Sequence, residues 1–187
     1  MAAALARMGE IIMRWMRKPI KRLRNCHRLF QSGKYAHLGW YIVGTSIHWA
    51  FAFSAVHFCL NSEKRVLYGV LVASQLGGKQ INKVLKRYFN QKRPECSGKN
   101  SNGMPSYHAQ AAAFFPVFLI TVSVIHTYAL PLFAALLVAY SRVAIGMHSY
   151  DQIIVGSVIG AVLGWISGAG ALKLEEALHV LTAEPLL

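Results

Sequence analysis

The sequence predicts an all-α integral membrane protein, a helical bundle with about five transmembrane helices. Three observations predict this. Hydrophobic residues make up 55% of the 187 positions and charged residues only 14%, where a soluble domain averages about 25% charged. Several stretches long enough to cross a hydrocarbon core of about 30 Å contain no Asp, Glu, Lys or Arg. The charge that remains is one-sided, 20 Lys and Arg against 7 Asp and Glu for a formal net of +13. Few charges, mostly positive, fit a membrane protein with cationic loops or one that holds an anionic ligand. They exclude disorder and an ordinary cytosolic globule.

Residues 1–34 form a basic amphipathic N-terminal segment, expected to lie on the membrane surface. Arg7, Glu10 and Arg14 interrupt its apolar run, so it does not read as a standard signal peptide. Its Arg content and near absence of acids also fit an organellar transit segment. Nine basic residues, from Arg7 to Lys34, precede the first span. Contact with anionic lipid and orientation explain them best. Nucleic-acid binding does not, because no folded basic surface surrounds them.

Residues 35–175 read as one membrane-embedded domain. Tyr35 to Ser62 is free of charged residues and reads as the first span. Val66 to Gly78 is too short to span alone but continues as a helix through Lys79, Lys83 and Lys86, which share a face at i, i+4 and i+7. Pro94, Gly98, Gly103 and Pro105 then mark a loop. From Ala109 to Tyr140 no charge occurs. As one helix that stretch would measure roughly 48 Å, so a break into two antiparallel spans is expected, at Pro131. Gln152 to Leu172 is the last charge-free run. Its Gly156, Gly160, Gly164 and Gly168 lie near one stripe that lets another helix approach closely. Packing within the chain is the preferred reading, and self-association with a second copy the other. Residues 176–187 are a short C-terminal tail. Cys26, Cys59 and Cys96 form no CxxC or zinc spacing and leave the redox compartment open.

The polar residues suited to chemistry collect in two patches. One runs from Lys86 through Arg93-Pro94 to Ser106 and His108, the other from Ser141-Arg142 to His148 and Asp151-Gln152. Two antiparallel spans separate them, so the chain returns to the same membrane face and the patches can meet there. Lys86, Arg93 and Arg142 then converge; guanidinium forks match phosphate oxygens, and a lysine adds a point charge. Ser106 offers a hydroxyl. The two histidines offer a nucleophile and a proton donor. This set suits phosphoryl transfer without a metal or other cofactor, and no carboxylate cluster suited to Mg²⁺ is present. His37, His48, His57 and His126 read as packing groups, and Arg87, Lys92 and Lys99 as solvated charges.

The spacing resembles a known family. Lys86 to Pro94 fits KxxxxxxRP, Pro105-Ser106-Tyr107-His108 is similar to PSGH, and Ser141-Arg142 with His148 fits SRxxxxxH. Three such motifs in order resemble the type 2 phosphatidic acid phosphatase superfamily. The phrases around Asn90-Gln91-Lys92-Arg93-Pro94 and Gly103-Met104-Pro105 look like its dolichyl-diphosphatase-like branch, and plastid lipid phosphate phosphatases of plants are also similar. The resemblance implies an active site at one membrane face and a phosphohistidine mechanism. His148 would attack phosphorus, His108 would protonate the leaving oxygen and then activate water, and Lys86, Arg93, Ser106 and Arg142 would hold phosphate oxygens. The usual Gly of PSGH is Tyr107, which either narrows the pocket or adds a contact to phosphate. The usual Asp four residues after the nucleophile is Gln152, with Asp151 one position earlier. At i+3 and i+4 from His148, either can reach the ring.

The expected substrate is a lipid phosphate or diphosphate, with polyprenyl (dolichyl) diphosphate first and phosphatidate or lysophosphatidate second. A catalytically weak lipid-binding or assembly protein is the alternative from a different class. The expected partners are that lipid and the membrane, with no nucleic acid. Endoplasmic reticulum is the first expected location, and a plastid or other organelle membrane the second.

Overall fold

The computed structural model of the protein describes residues 33–60, 64–124 and 127–183. The basic segment expected at residues 1–34 falls almost wholly outside them, as do Cys26, His126, the side chain of His57 and the last four residues. The chain divides between Ile42 and Val43 into two units. Of the first, the described residues are Gly33 to Ile42, most of one helix. All that follows concerns the second.

Among the described residues the elements are α1 (Tyr35–Thr45), α2 (Ile47–Leu60), α3 (Arg65–Phe89), α4 (Tyr107–Thr121), α5 (Ala129–Ala144) and α6 (Tyr150–Ala183), with a 3₁₀ turn at Glu95–Ser97. No strand occurs among them; Lys92 and Asn102 make an isolated antiparallel bridge. The first charge-free run is thus two helices, α1 and α2, separated at Ser46.

Helix α3 buries Leu67, Leu71, Gln75, Gly78 and Asn82. These recur every three or four residues, one stripe of a 3.6-residue period. The helix stops at Asn90, whose φ of 46° puts it in the left-handed region. Asn tolerates that conformation, and its N–H closes on the Lys86 carbonyl. Helix α4 is the centre of the bundle. Ala109 through Ala112, Phe114 through Pro116, and Phe118 are buried on all sides, as expected of a helix apolar all round.

The glycine stripe of α6 lies against α4. A Cβ on Gly156 would strike the Ser106 backbone, one on Gly160 the Gln110 backbone, one on Gly164 the Phe114 backbone, and one on Gly168 Thr121. Both series advance by four as far as Gly164 and Phe114, and Gly168 meets Thr121 beyond the Phe118 carbonyl, so α4 and α6 run parallel at a distance only glycine permits. The stripe is filled by this chain's own helix. Self-association through Gly156, Gly160, Gly164 and Gly168 is therefore corrected, since no room remains for a second copy.

The long apolar stretch breaks at residues 122–128, earlier than Pro131. Ser123 takes a left-handed φ of 54° there. Pro131 instead sits in the first turn of α5, where its missing N–H has no intrahelical partner to lose. Helix α6 outruns the expected last span at both ends; no Gly or Pro interrupts it between Gly170 and Ala183. The expected tail from residue 176 is helical as far as Ala183.

Polarity runs opposite to that of a soluble globule. Trp49 is 74% exposed, Leu60 79% and Leu130 74%, whereas Gln75, Asn82, Gln110, Ser141, Arg142, His148 and Gln152 are buried. Water penalises such an arrangement, and hydrocarbon favours it. Helix α6 is long and apolar enough to cross a membrane over Tyr150–Leu181, and α5 is a shorter apolar helix.

Candidate active site

With α4 and α6 parallel and α5 returning between them, one end of the bundle gathers the N-termini of α4 and α6 and the C-termini of α3 and α5. Both expected polar patches lie at that end. The positive ends of two helix dipoles point there, which favours an anion.

The α3–α4 loop is held by side chains of the motifs themselves. The Lys86 ammonium donates to the carbonyls of Asn102 (3.3 Å), Gly103 (3.1 Å) and Pro105 (2.8 Å). An ammonium has three donors, so all of them are engaged by the loop. Asn102 returns the contact through Nδ2, donating to the Lys86 carbonyl at 2.8 Å. The Gly103 N–H closes on the Gln91 carbonyl at 2.7 Å. In this arrangement Lys86 holds the α3–α4 loop together rather than presenting open donors. The sequence suggested only the second use.

Arg93 crosses from this loop to the α5–α6 loop. Its Nε donates to Ser101 Oγ (3.1 Å), and its Nη1 to the Met147 carbonyl (2.8 Å) and to His148 Nε2 (2.8 Å). His148 is 3% exposed. Its Nδ1 lies 3.0 Å from Gln152 Oε1. An amide oxygen only accepts, so Nδ1 carries the proton; Nε2 then holds a lone pair, which the donor-only guanidinium meets. Burial and then the Arg93 cation lower the His148 pKa from 6.5 to about 3, against an opposing pull from the Gln152 hydrogen bond. The ring is neutral, as a nucleophile must be.

Of the two residues expected to orient this ring, the structure selects Gln152. The Asp151 carboxylate turns outward and accepts from Gln91 Nε2 at 2.5 Å. The reason is helical geometry at the start of α6: Gln152 is buried beneath the α3–α4 loop, while Asp151 next to it is exposed. Direct contact of Asp151 with His148 is therefore corrected.

Ser106 caps α4, fully buried, with an Oγ that has no hydrogen-bond partner. Its backbone N–H is tied to the Gln152 carbonyl at 3.0 Å. A buried hydroxyl at a helix N-terminus, left unsatisfied, is suited to an arriving oxygen. Arg142 is buried at the end of α5, and its carbonyl accepts from the N–H groups of Met147 and His148. Gly44 makes room for it: a Cβ there would come within 2.7 Å of Arg142 Nη1. Tyr107 is half-buried and packs against the hydrophobic core. The His108 ring lies on the first turn of α4, 5.3 Å from the His48 ring and 6.4 Å from that of Tyr107.

Three participants were not singled out by sequence. Burial, followed by repulsion from Arg93 and then Arg142, lowers the Lys99 pKa, so this lysine shares their field instead of standing in solvent apart from it. His48 was read as packing but neighbours His108. Gln91 stands inside the first motif at a position its pattern leaves open. No signal in a single sequence marks these three.

Two helix N-termini, several cations and a buried neutral histidine at one end of the bundle form an arrangement suited to an anion. Residues 64–173 match the sequence model of the PAP2 superfamily, more than half of the chain and every site residue from Lys86 to Gln152, and the chain belongs to that superfamily. Among curated relatives, "Lipid phosphate phosphatase epsilon 1, chloroplastic" of Arabidopsis thaliana is 31% identical over 100 residues, covering 49% of this chain and 36% of the relative. "Lipid phosphate phosphatase epsilon 2, chloroplastic" of the same plant is 30% identical over 115 residues, covering 56% of this chain and 40% of the relative. The match thus spans well under two thirds of either relative's length. No solved structure gives a significant match.

Proposed function

We propose that the protein is a membrane-embedded phosphatase that removes phosphate from a lipid phosphate or diphosphate through a phosphohistidine. One observation carries the reading: His148 is buried and neutral, with its proton fixed on Nδ1 by Gln152 and its Nε2 lone pair set among cations.

The step begins when phosphate displaces Nε2 as the partner of Arg93. The lone pair then forms the N–P bond as the bond from phosphorus to the leaving oxygen breaks, and His108 gives that oxygen its proton. Arg93, Arg142 and the Ser106 hydroxyl hold the equatorial oxygens, and Lys99 adds charge. Lys86 keeps the loop that presents Ser106 in place. In the second half, water attacks phosphorus, His108 takes the water's proton, and the N–P electron pair returns to His148. Because Nδ1 keeps its proton, the ring carries a positive charge while the N–P bond lasts. The Gln152 amide oxygen accepts from that N–H but does not neutralise the charge as a carboxylate would, and the negative oxygens of the phosphoryl group offset it instead.

The outward-facing apolar residues support a lipid tail lying beside the bundle, in about five spans of which α6 is the longest. Polyprenyl (dolichyl) diphosphate is the first substrate, on the wording of the motifs and the short loops. Phosphatidate is the second, on the names of the two relatives. Those names also favour a plastid membrane beside the endoplasmic reticulum. Purified protein in detergent is to be assayed for phosphate release from dolichyl diphosphate, farnesyl diphosphate and phosphatidate. Release from at least one, abolished in His148→Ala, is expected. Activity undiminished by that substitution removes the mechanism.

A further inference from the structure

The amide of a glutamine is nearly symmetric in shape, and only its partners decide which end is oxygen. At this site the partners form an ordered series. Gln91 Nε2 meets the Asp151 carboxylate at 2.5 Å. A carboxylate accepts and never donates, so the NH₂ of Gln91 must face it and Oε1 must face the other way. That Oε1 lies 3.3 Å from Gln152 Nε2, whose other acceptor is the Lys92 carbonyl at 2.8 Å. Two acceptors on one side of Gln152 force its oxygen to the opposite side. There it meets His148 Nδ1 at 3.0 Å and the Ser149 N–H at 3.4 Å. Were Gln91 reversed, its NH₂ would confront that of Gln152 at the 3.3 Å contact. The Lys92 carbonyl, the Ser149 N–H and Arg93 would then be left to hold the orientation, and the preference for a proton on Nδ1 over Nε2, where the nucleophilic pair is required, would weaken.

We propose that Gln91 and Asp151 are positioning residues for His148: the Asp151 carboxylate sets the polarity of the Gln91 amide, which sets Gln152, which keeps the proton on Nδ1. The value of that tautomer for catalysis rests on the phosphatase reading above, but the tautomer can be observed by itself. Asp151, displaced from the ring it was expected to touch, acts on it through two intervening amides. Gln91 and Asp151 reach His148 only through Gln152.

The test uses the full chain with ring-¹⁵N histidine in detergent, the His148 resonances being assigned by their loss in His148→Gln. The wild type is expected to show Nδ1–H. Gln91→Lys keeps a partner for Asp151 but turns only donors toward Gln152. The ring is expected to shift toward Nε2–H, and kcat to fall about tenfold with KM within twofold. Asp151→Ala, at an exposed position, removes the origin of the polarity and is expected to give a mixture of tautomers and a smaller loss. The exchanged pair Gln91→Glu/Asp151→Asn places the acceptor at position 91 and is expected to keep both the wild-type tautomer and kcat within twofold. A ring that remains wholly Nδ1–H in both Gln91→Lys and Asp151→Ala overturns the proposal. So does an exchanged pair as impaired as Gln91→Lys. Absence of phosphate release by the wild type on every lipid would remove the enzymatic reading and leave the ring spectrum to decide the relay.

Discussion

The two ends of the α4–α6 interface are built on opposite principles. At the top, from Ser106 and Gln152 outward, position is fixed by directional hydrogen bonds: Lys86 to three carbonyls, Arg93 to Met147 and His148, Gln152 to Lys92. Lower down, from Gly156 to Gly168, position is fixed by proximity, glycine against backbone. Directional contacts set which atom faces which but tolerate small changes of volume. Close packing tolerates no added atom and is indifferent to polarity. The proposed chemistry lies in the first region and the closest packing in the second, so damage to each should look different.

The largest effect expected is on activity alone. His148→Ala is to lose at least about a thousandfold in kcat, a loss far out of proportion to the modest fall in its thermal unfolding midpoint in detergent that removing a buried ring entails. A parallel loss of both would erase the contrast. Next is the reverse case, Gly160→Leu. Its side chain must enter the space of the Gln110 backbone, and overpacking of this kind costs about 1–3 kcal/mol or more. Loss of folded protein across all readouts is expected, measured by size-exclusion yield and unfolding midpoint.

Gln152→Leu stands between the regions, since Gln152 is buried at the junction. A lowering of kcat by about a hundredfold is expected, with a smaller fall in stability from the unpaired Lys92 carbonyl of about 1–3 kcal/mol. Comparing kcat with the unfolding midpoint separates the two losses.

The last effect concerns acid. The His148 pKa lies at about 3 in the folded chain, below its ordinary 6.5. A depressed value means that the unfolded chain takes up a proton that the folded chain refuses. The contribution is full above pH 6.5 and is lost as pH falls toward 3, by at most about 1.4 kcal/mol per unit. Unfolding measured at pH 7 and at pH 4.5 should show a larger decline in the wild type than in His148→Asn. Equal declines would place the acid sensitivity elsewhere.

Much of this was legible in the chain itself. The helices follow from charge-free runs, and the union of two polar patches follows from counting turns between them. Arg93 and His148 stood out because each sits at a motif position within one of the two polar patches. What was not legible depends on loop geometry. Lys86 was expected to point at phosphate, but only the folded loop brings three carbonyls to its ammonium. Choosing Gln152 over Asp151 required knowing which side of the first turn of α6 the loop covers. Pro131 was a fair sign of a break, yet proline is tolerated in a first turn, and the chain reverses earlier, at Ser123. The glycine spacing announced a close neighbour without naming it; the neighbour is α4.

The length of α6 has a practical consequence. Its 34 residues extend about 51 Å at 1.5 Å each, roughly 20 Å beyond a hydrocarbon core. Its N-terminal end is held at the candidate site, where Gln152 meets the Lys92 carbonyl, so if α6 spans the bilayer the surplus emerges at the far end, where Lys173, Glu175 and Glu176 stand. A tag attached near Lys173 should then be accessible only from the side of the membrane opposite the candidate site, and locating that tag tells which side the site faces.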